Sequence, residues 1–421
     1  MNPTVLLFIF ALLLFVPAAY SSQGFYPIMP WDSVHGWDEP AGGHVNGLES
    51  MAECGFTVSA FALPEDLPLI EKLGMKAMIH PPQGWREDLW RKPADEVDAT
   101  VKKWVEPTAG NPVVLGYFVA DEPGTSRFPA LANVVDSIRK HAPGKIAYIN
   151  LFPGYAIIGA HDQSQLGAES FTDYLEQYVS TVKPFLLSYD DYQVIWSDDL
   201  QDRELGAIYF RDLVEVRRVA EKHGLPFWNT ICSNRIRPDS AVPSPANLLL
   251  QANTSLAAGA AGICWYTYYS HGYENAPIDS RGNRSDTWAY LQLVNRQVKV
   301  LGPIVKELKT TGVYFSDPAP ASDLPKLPGR VIKSVATRTS LKGYSDDRPP
   351  VMVGEFEGGG SDYVLFVNLS LRKSANLLVT TNREYAKKEV VSNQDASFSP
   401  LDEKTGHWLV PGQCVLVKLT K

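Results

Sequence analysis

Asp121 and Glu122 stand side by side where the apolar run Val113-Val-Leu-Gly-Tyr-Phe-Val-Ala120 stops, and Pro123-Gly124 closes the segment. Such a run reads as a strand buried on both faces, so the two acids fall at its C-terminal end. In parallel α/β folds that end carries the chemistry. Two carboxyl groups across a bond are sufficient for acid and base work, one holding a proton and the other attacking or activating water. The plainer alternative is that Glu122 caps the following helix.

Other apolar runs end in the same style. Their last residues are Trp31 and Asp32, then His80, Asn150, the Tyr189-Asp190-Asp191-Tyr192 cluster, Trp228 and Asn229, and Trp265 and Tyr266 with Tyr268, Tyr269 and His271 beyond. Aromatic rings stack on the apolar faces of sugars, while amides, imidazoles and carboxylates bind hydroxyl groups. Each residue also has a structural reading. Trp228 and Trp265 suit a core, His80 a satisfied strand end, Asn150 a turn, and Asp190 and Asp191 the start of a loop. Glu274 lies in a Gly/Asn/Pro-rich loop that suits a solvated side chain.

The elements that must position these residues alternate regularly. Strands are predicted at 25–31, 55–63, 74–80, 113–120, 145–152, 184–194, 226–232 and 262–269. Amphipathic helices are predicted between them, for example over 128–141 and 206–223, with Gly224 ending the latter. The strands begin roughly 34 residues apart, the size of one βα unit, and eight such units close naturally into a (β/α)8 barrel. From about residue 310 the helical period gives way to short strand-like runs such as 362–368, 376–380 and 413–419, read as a small C-terminal antiparallel β-sandwich. The expected organisation is a signal peptide at 1–22, the barrel at 23–309 and the sandwich at 310–421.

Composition narrows the partners. The 421 residues carry a formal net charge of −8 and no Lys/Arg cluster, which argues against nucleic acid. Residues 4–16 are apolar but short for a bilayer span, and Pro17-Ala-Ala-Tyr-Ser-Ser follows, the shape of a secretory leader with cleavage near 19–22. Sequons at Asn253, Asn283 and Asn368 are compatible with export. The four cysteines lie mostly in apolar runs and are expected to be free thiols. No GxSxG, HExxH, GxGxxG or P-loop motif occurs, so no serine elbow, zinc site or nucleotide turn is indicated, and neither cofactor nor metal is expected. No obligate protein partner is indicated.

The segment Gly116-Tyr-Phe-Val-Ala-Asp-Glu-Pro123 resembles the strand-four Asn-Glu-Pro or Asp-Glu-Pro segment of (β/α)8 glycoside hydrolases related to clan A, including β-galactosidase-like and glucanase-like enzymes. Leu187-Ser-Tyr-Asp-Asp-Tyr192 is similar to a Ser-Tyr-Asp-X-Tyr segment of secreted barrel glycosidases. The resemblance implies a hydrolase of O-glycosidic bonds in a poly- or oligosaccharide, with Glu122 as acid/base. It also exposes a departure. Clan A enzymes carry a nucleophilic Glu at the end of strand seven, and here that end reads Trp-Asn-Thr-Ile-Cys-Ser-Asn. Asp190 is the first substitute, with Asp191 and Glu274 behind it. A second scheme resembles the N-acetylhexosaminidases, in which Asp121 would orient a substrate acetamide that attacks internally. A third possibility is a carbohydrate-binding barrel without catalysis.

Overall fold

The computed structural model describes residues 24–35, 47–82, 92–158, 163–193, 205–340 and 348–421. The expected leader at 1–22 lies outside the described residues.

Eight parallel strands form one sheet: β1 (Ile28–Pro30), β2 (Val58–Ala62), β3 (Lys76–Ile79), β4 (Val114–Asp121), β5 (Ile146–Leu151), β6 (Leu187–Asp190), β7 (Phe227–Cys232) and β8 (Gly262–Tyr266). Each pairs with its sequence neighbour from β2 to β8, and β1 pairs with β8. Between β1 and β2, Thr57 donates its backbone N–H to the Ile28 carbonyl at 3.0 Å and its Oγ1 accepts from the Ile28 N–H at 2.8 Å. The expected eight-unit barrel is therefore present.

The helices α1 (Leu48–Glu53), α2 (Leu67–Lys72), α3 (Ala94–Val105), α4 (Phe128–His141), α5 (Phe171–Val182), α6 (Leu205–His223), α7 (Pro245–Ala257) and α8 (Asp286–Glu307) follow the strands in turn. Their starts are chemically marked. Ser170 accepts from Asp173 N–H, Ser244 and Asn247 form a reciprocal capping box ahead of Pro245, and Ser285 accepts from Thr287 N–H. Gly224 ends α6 at φ +65°, a conformation that glycine adopts without a Cβ penalty.

Strand periodicity sorts the core into two compartments. Met29, Trp31, Val58, Ala60, Phe61, Met78, Leu115, Phe118, Ile146, Tyr148, Trp228 and Cys264 fill the barrel interior. The alternate residues, such as Ile263 and Trp265 of β8, pack outward against the helices. Burying apolar surface on both faces of every strand is what demands the near-continuous apolar runs.

Beyond α8 the chain makes two antiparallel sheets. One runs β15 (Phe398–Pro400), β14 (Lys387–Val391), β17 (Cys414–Thr420), β12 (Ser361–Asn368), β11 (Val351–Gly358), β9 (Lys309–Phe315), and the other runs β10 (Ile332–Arg338), β13 (Ala375–Thr381), β16 (His407–Leu409). Val353, Val364, Phe366, Val415 and Val417 face the small sheet's Ile332, Leu377 and Leu409. The alternate residues Met352, Phe356, Leu365, Val367 and Leu416 join the barrel's outer core. Gly354 marks the join, because a Cβ there would lie 2.1 Å from the Ala257 carbonyl oxygen at the end of α7. Asn253 of α7 donates to the Gly412 carbonyl at 2.9 Å across the same contact.

Two of the three sequons are thereby closed to a glycan. Asn253 and Asn368 are buried with their amides donating to backbone carbonyls, while Asn283 sits in an exposed loop. The four cysteines are buried free thiols. Among the described residues, no helix is long and apolar enough to cross a membrane.

Candidate active site

At the C-terminal mouth of the barrel, β4 departs from simple alternation. Its register against β5 shifts between Phe118 and Ala120, and Glu122 adopts φ +45°, unusual for a residue with a side chain. Regular strand geometry would send two consecutive side chains to opposite faces. The left-handed turn lets Asp121 and Glu122 serve one site, and the Glu122 N–H is held by the Asn150 carbonyl at 2.8 Å. Backbone strain of this kind, of order 1–3 kcal/mol, persists where surrounding contacts impose it.

Asn150, on the inward face of β5, is the hub. Its Nδ2 donates to Asp190 Oδ2 at 3.1 Å and reaches Asp121 Oδ1 at 3.4 Å. Its Oδ1 accepts from Ser188 Oγ at 3.1 Å and Thr230 Oγ1 at 3.2 Å. One fully buried amide thus joins four strands, β4 to β7, and fixes two of the acids. Tyr192 adds a second donor to Asp190 Oδ2 at 3.2 Å and stacks on Tyr266 with ring centroids 5.1 Å apart. Tyr266 in turn shares a hydrogen bond with Tyr273 at 2.8 Å. Trp31, with 7% of its surface exposed, closes the barrel's interior core beneath the mouth through edge contacts with Phe61 and Phe118.

The three carboxyls perturb one another. Burial pushes the Glu122 carboxyl up to about 7, and the Asp121 charge pushes the same way. Burial also holds Asp190 well above the ordinary carboxylate range, reinforced by Glu122 and then Asp121, with the bonds from Tyr192 and Asn150 opposing. Asp190 Oδ1 is buried and accepts no hydrogen bond. Like charges gathered in a buried site cannot all ionise, which favours the protonated forms of Glu122 and Asp190. One carboxyl able to donate a proton beside another braced to carry charge is the arrangement that acid/base and nucleophilic chemistry requires.

Several expected sugar-binding residues lie elsewhere. Trp265 and Tyr189 point outward into the core against the helices, and Trp265 Nε1 donates to Asn295 of α8 at 2.9 Å. Asn229 also faces out, donating to Ser255 of α7 at 2.9 Å. Trp228 faces inward but is wholly buried beside Tyr148, at a centroid distance of 5.5 Å. Tyr189, Asn229 and Trp265, on three different strands, sit one residue out of phase with the mouth, and Trp228 is sealed inside the barrel core. Asp32 is consumed structurally, because its Oδ2 accepts the N–H groups of Tyr268 and Tyr269 at 2.5 and 2.9 Å and its Oδ1 meets His271 Nε2. That contact raises the His271 pKa. His80 ends β3 half-buried, its Nδ1 against the Pro81 carbonyl at 2.6 Å.

Among the alternative acids, Glu274 is exposed and paired with Arg235 at 2.9 Å. Asp191 is fully buried, its Oδ1 accepts the Gln193 N–H at 2.7 Å, and Asp212 of α6 is the first of the charges that raise it after burial. Neither stands in the group formed by Asp121, Glu122 and Asp190.

Sequence reasoning missed Tyr155. It sits on a short 3-10 turn, Gly154–Ile157, after β5, and burial, reinforced by the charges of Asp190, Asp191 and Glu122, raises its phenol pKa. The only signal was a tyrosine just past Pro153-Gly154, where a strand gives way to a loop. Asp212 was missed as well, since an acid on an amphipathic helix reads as solvated. Among the described residues, no group of three or more His, Cys, Asp or Glu is placed to hold a metal ion.

The fold recurs in solved glycoside hydrolases. A catalytic mutant of a GH42 beta-galactosidase from G. stearothermophilus superimposes with a TM-score of 0.59 at 10% identity, covering 89% of this chain and 95% of that one. The alpha-amylase from Geobacillus thermoleovorans, complexed with acarbose, gives 0.51 at 13% identity over 94% and 98% of the two chains. The chain spans 63% of the length of the beta-galactosidase from the psychrophilic Marinomonas ef1, matching over 68% of its own length at 11% identity with a TM-score of 0.49. No protein-family model matches the sequence, and no curated protein matches it. The first two likenesses establish a TIM-barrel fold shared with glycoside hydrolases.

Proposed function

We propose that the protein is a glycoside hydrolase acting on a poly- or oligosaccharide, with Glu122 as acid/base and Asp190 as the second carboxylate. The observation that carries this reading is the three-carboxyl group at the barrel mouth, in which Glu122 is pushed up to about 7 beside a buried Asp190 with one unoccupied oxygen. Glu122 near neutral pH is a competent proton donor to a leaving-group oxygen. The hydrogen bonds from Asn150 and Tyr192 to Asp190 Oδ2 oppose the burial that holds its proton on, and so favour its charged form as positive charge develops on the sugar. In this reading Asp190 is the group that attacks the anomeric carbon or activates the water. Tyr155, Tyr192 and Tyr266 provide rings and hydroxyls for a sugar at the mouth. The apolar stretch at 4–16 supports action outside the cytoplasm.

One observation favours a second reading. Asp121 is held beside Glu122 by the same Asn150 amide, the position from which an Asp would orient a 2-acetamido group for internal attack. Activity confined to 2-acetamido sugars would select it. The test is hydrolysis of a plant, algal and host glycan panel by wild type and Glu122→Gln, with product anomers read by NMR. The proposal expects cleavage by wild type and severe loss in the variant. Sugar binding with no hydrolysis of any member would instead identify a non-catalytic barrel.

A further inference from the structure

We propose that Asp191 and Asp212 share one proton and act as a positioning pair, tying the loops that carry Tyr155 and Tyr192 into place around Asp190. Both carboxyls are buried in the layer between barrel and helices, at 0% and 6% exposure. Asp191 Oδ1 accepts the Gln193 N–H at 2.7 Å, which fixes the chain immediately after Tyr192. Asp212 Oδ2 accepts the Gly154 N–H at 2.7 Å, which fixes the residue immediately before Tyr155. The contact at Gly154 is tight enough that a Cβ there would lie 2.4 Å from Asp212 Oδ1.

Asp191 Oδ2 meets no donor, although it is fully buried. What it faces is the Asp212 carboxyl, and two acceptors can bond only if one carries a hydrogen. A single shared proton supplies that donor and removes one of two buried like charges. The surrounding groups leave the proton no ionic substitute. Asp190 and Tyr189 of β6, Tyr155 of the 3-10 turn, and Tyr209 and Glu215 of α6 are neutral or negative. Among the described residues, the nearby cation Arg211 is turned to Asp323 at 2.7 Å. Burial raises both acids, Asp212 to about 6, where the hydrogen bonds from Asp191 and Gly154 oppose it. Losing the proton puts two anions face to face and loosens both loops at once.

The kinetic part of this inference rests on the glycosidase reading, and the stability part does not. Asp212→Asn in the full chain gives Asp191 Oδ2 a permanent amide donor while its carbonyl oxygen still accepts from Gly154. Raised folded-state pKa values confer stability that is complete below the unfolded pKa and lost as pH rises through the folded one. Wild-type Tm is therefore expected to fall as pH rises through about 6, and Asp212→Asn to flatten that fall. In the same variant the alkaline limb of kcat should move to higher pH with KM unchanged. Asp212→Ala, which lacks the tie at every pH, should lose about tenfold or more in kcat throughout. A wild-type Tm–pH slope in both Asp212→Asn and Asp191→Asn overturns the pair, whatever the activity. If no glycan is cleaved, the glycosidase reading fails and the Tm slopes still decide on the pair.

Discussion

Replacing Asn150 with alanine tests the site at its hub. The side chain makes four polar contacts, and their loss is unequal. Ser188 retains the Tyr148 hydroxyl at 2.9 Å and can reorient, so its cost is small. Thr230, fully buried, loses one acceptor, about 1–2 kcal/mol. Asp190 Oδ2 keeps only Tyr192, and a bond to a charged acceptor is worth about 1.5–3 kcal/mol. Chemical denaturation should therefore show a destabilisation of about 2.5–5 kcal/mol. The catalytic effect follows from the bond to Asp190 alone, because it strengthens as that carboxylate takes on charge. At 1.36 kcal/mol per factor of ten, kcat should fall about 10–100-fold, with a smaller change in KM. Steady-state kinetics beside urea unfolding separates the two effects. An Asn150→Ala enzyme with wild-type kcat would refute the claim that Asn150 braces Asp190, even if stability falls as expected.

Other consequences are narrower. Tyr192→Phe keeps the stack on Tyr266 but removes the second donor to Asp190, so kcat should drop about tenfold with little change in Tm. Asp32→Asn removes the charge that gathers Tyr268, Tyr269 and His271, and should lower Tm measurably while the pH profile of kcat keeps its shape. Because Glu122 is raised to about 7, its neutral form stabilises the fold below the ordinary range near 4.5. That contribution is lost as pH rises toward 7. Tm of wild type minus Tm of Glu122→Gln should therefore fall between those values, and a flat difference would remove the carboxyl's unusual environment.

The architecture was legible because period and length carry it. Apolar runs of strand length alternating with amphipathic segments leave few closures, and Ser, Pro and Gly mark the helix ends. Which face a residue takes was less legible. In strands buried on both sides, Trp265 and Cys264 are both apolar, and nothing local says that the cysteine turns inward and the tryptophan outward. Asn229 was misplaced for the same reason, being polar but one residue out of phase with Thr230, which does reach the hub. Asp121 and Glu122 were found because Pro123-Gly124 fixes the strand end. Their convergence depends on the left-handed backbone at Glu122, which no residue type announced. Tyr155 and Asp212 act through partners brought together only by the closed barrel.

The central claim is that Glu122 delivers the proton to the leaving group. The measurement is kcat/KM for wild type and Glu122→Gln on glycosides of one sugar whose aglycones range from a nitrophenol to an alkyl alcohol or natural saccharide. Departure of the nitrophenolate needs little protonation, so the variant should be mildly impaired there and lose about 10²–10⁴-fold on the poor leaving groups. An equal loss across the series, or full activity on the natural glycan, would contradict the assignment.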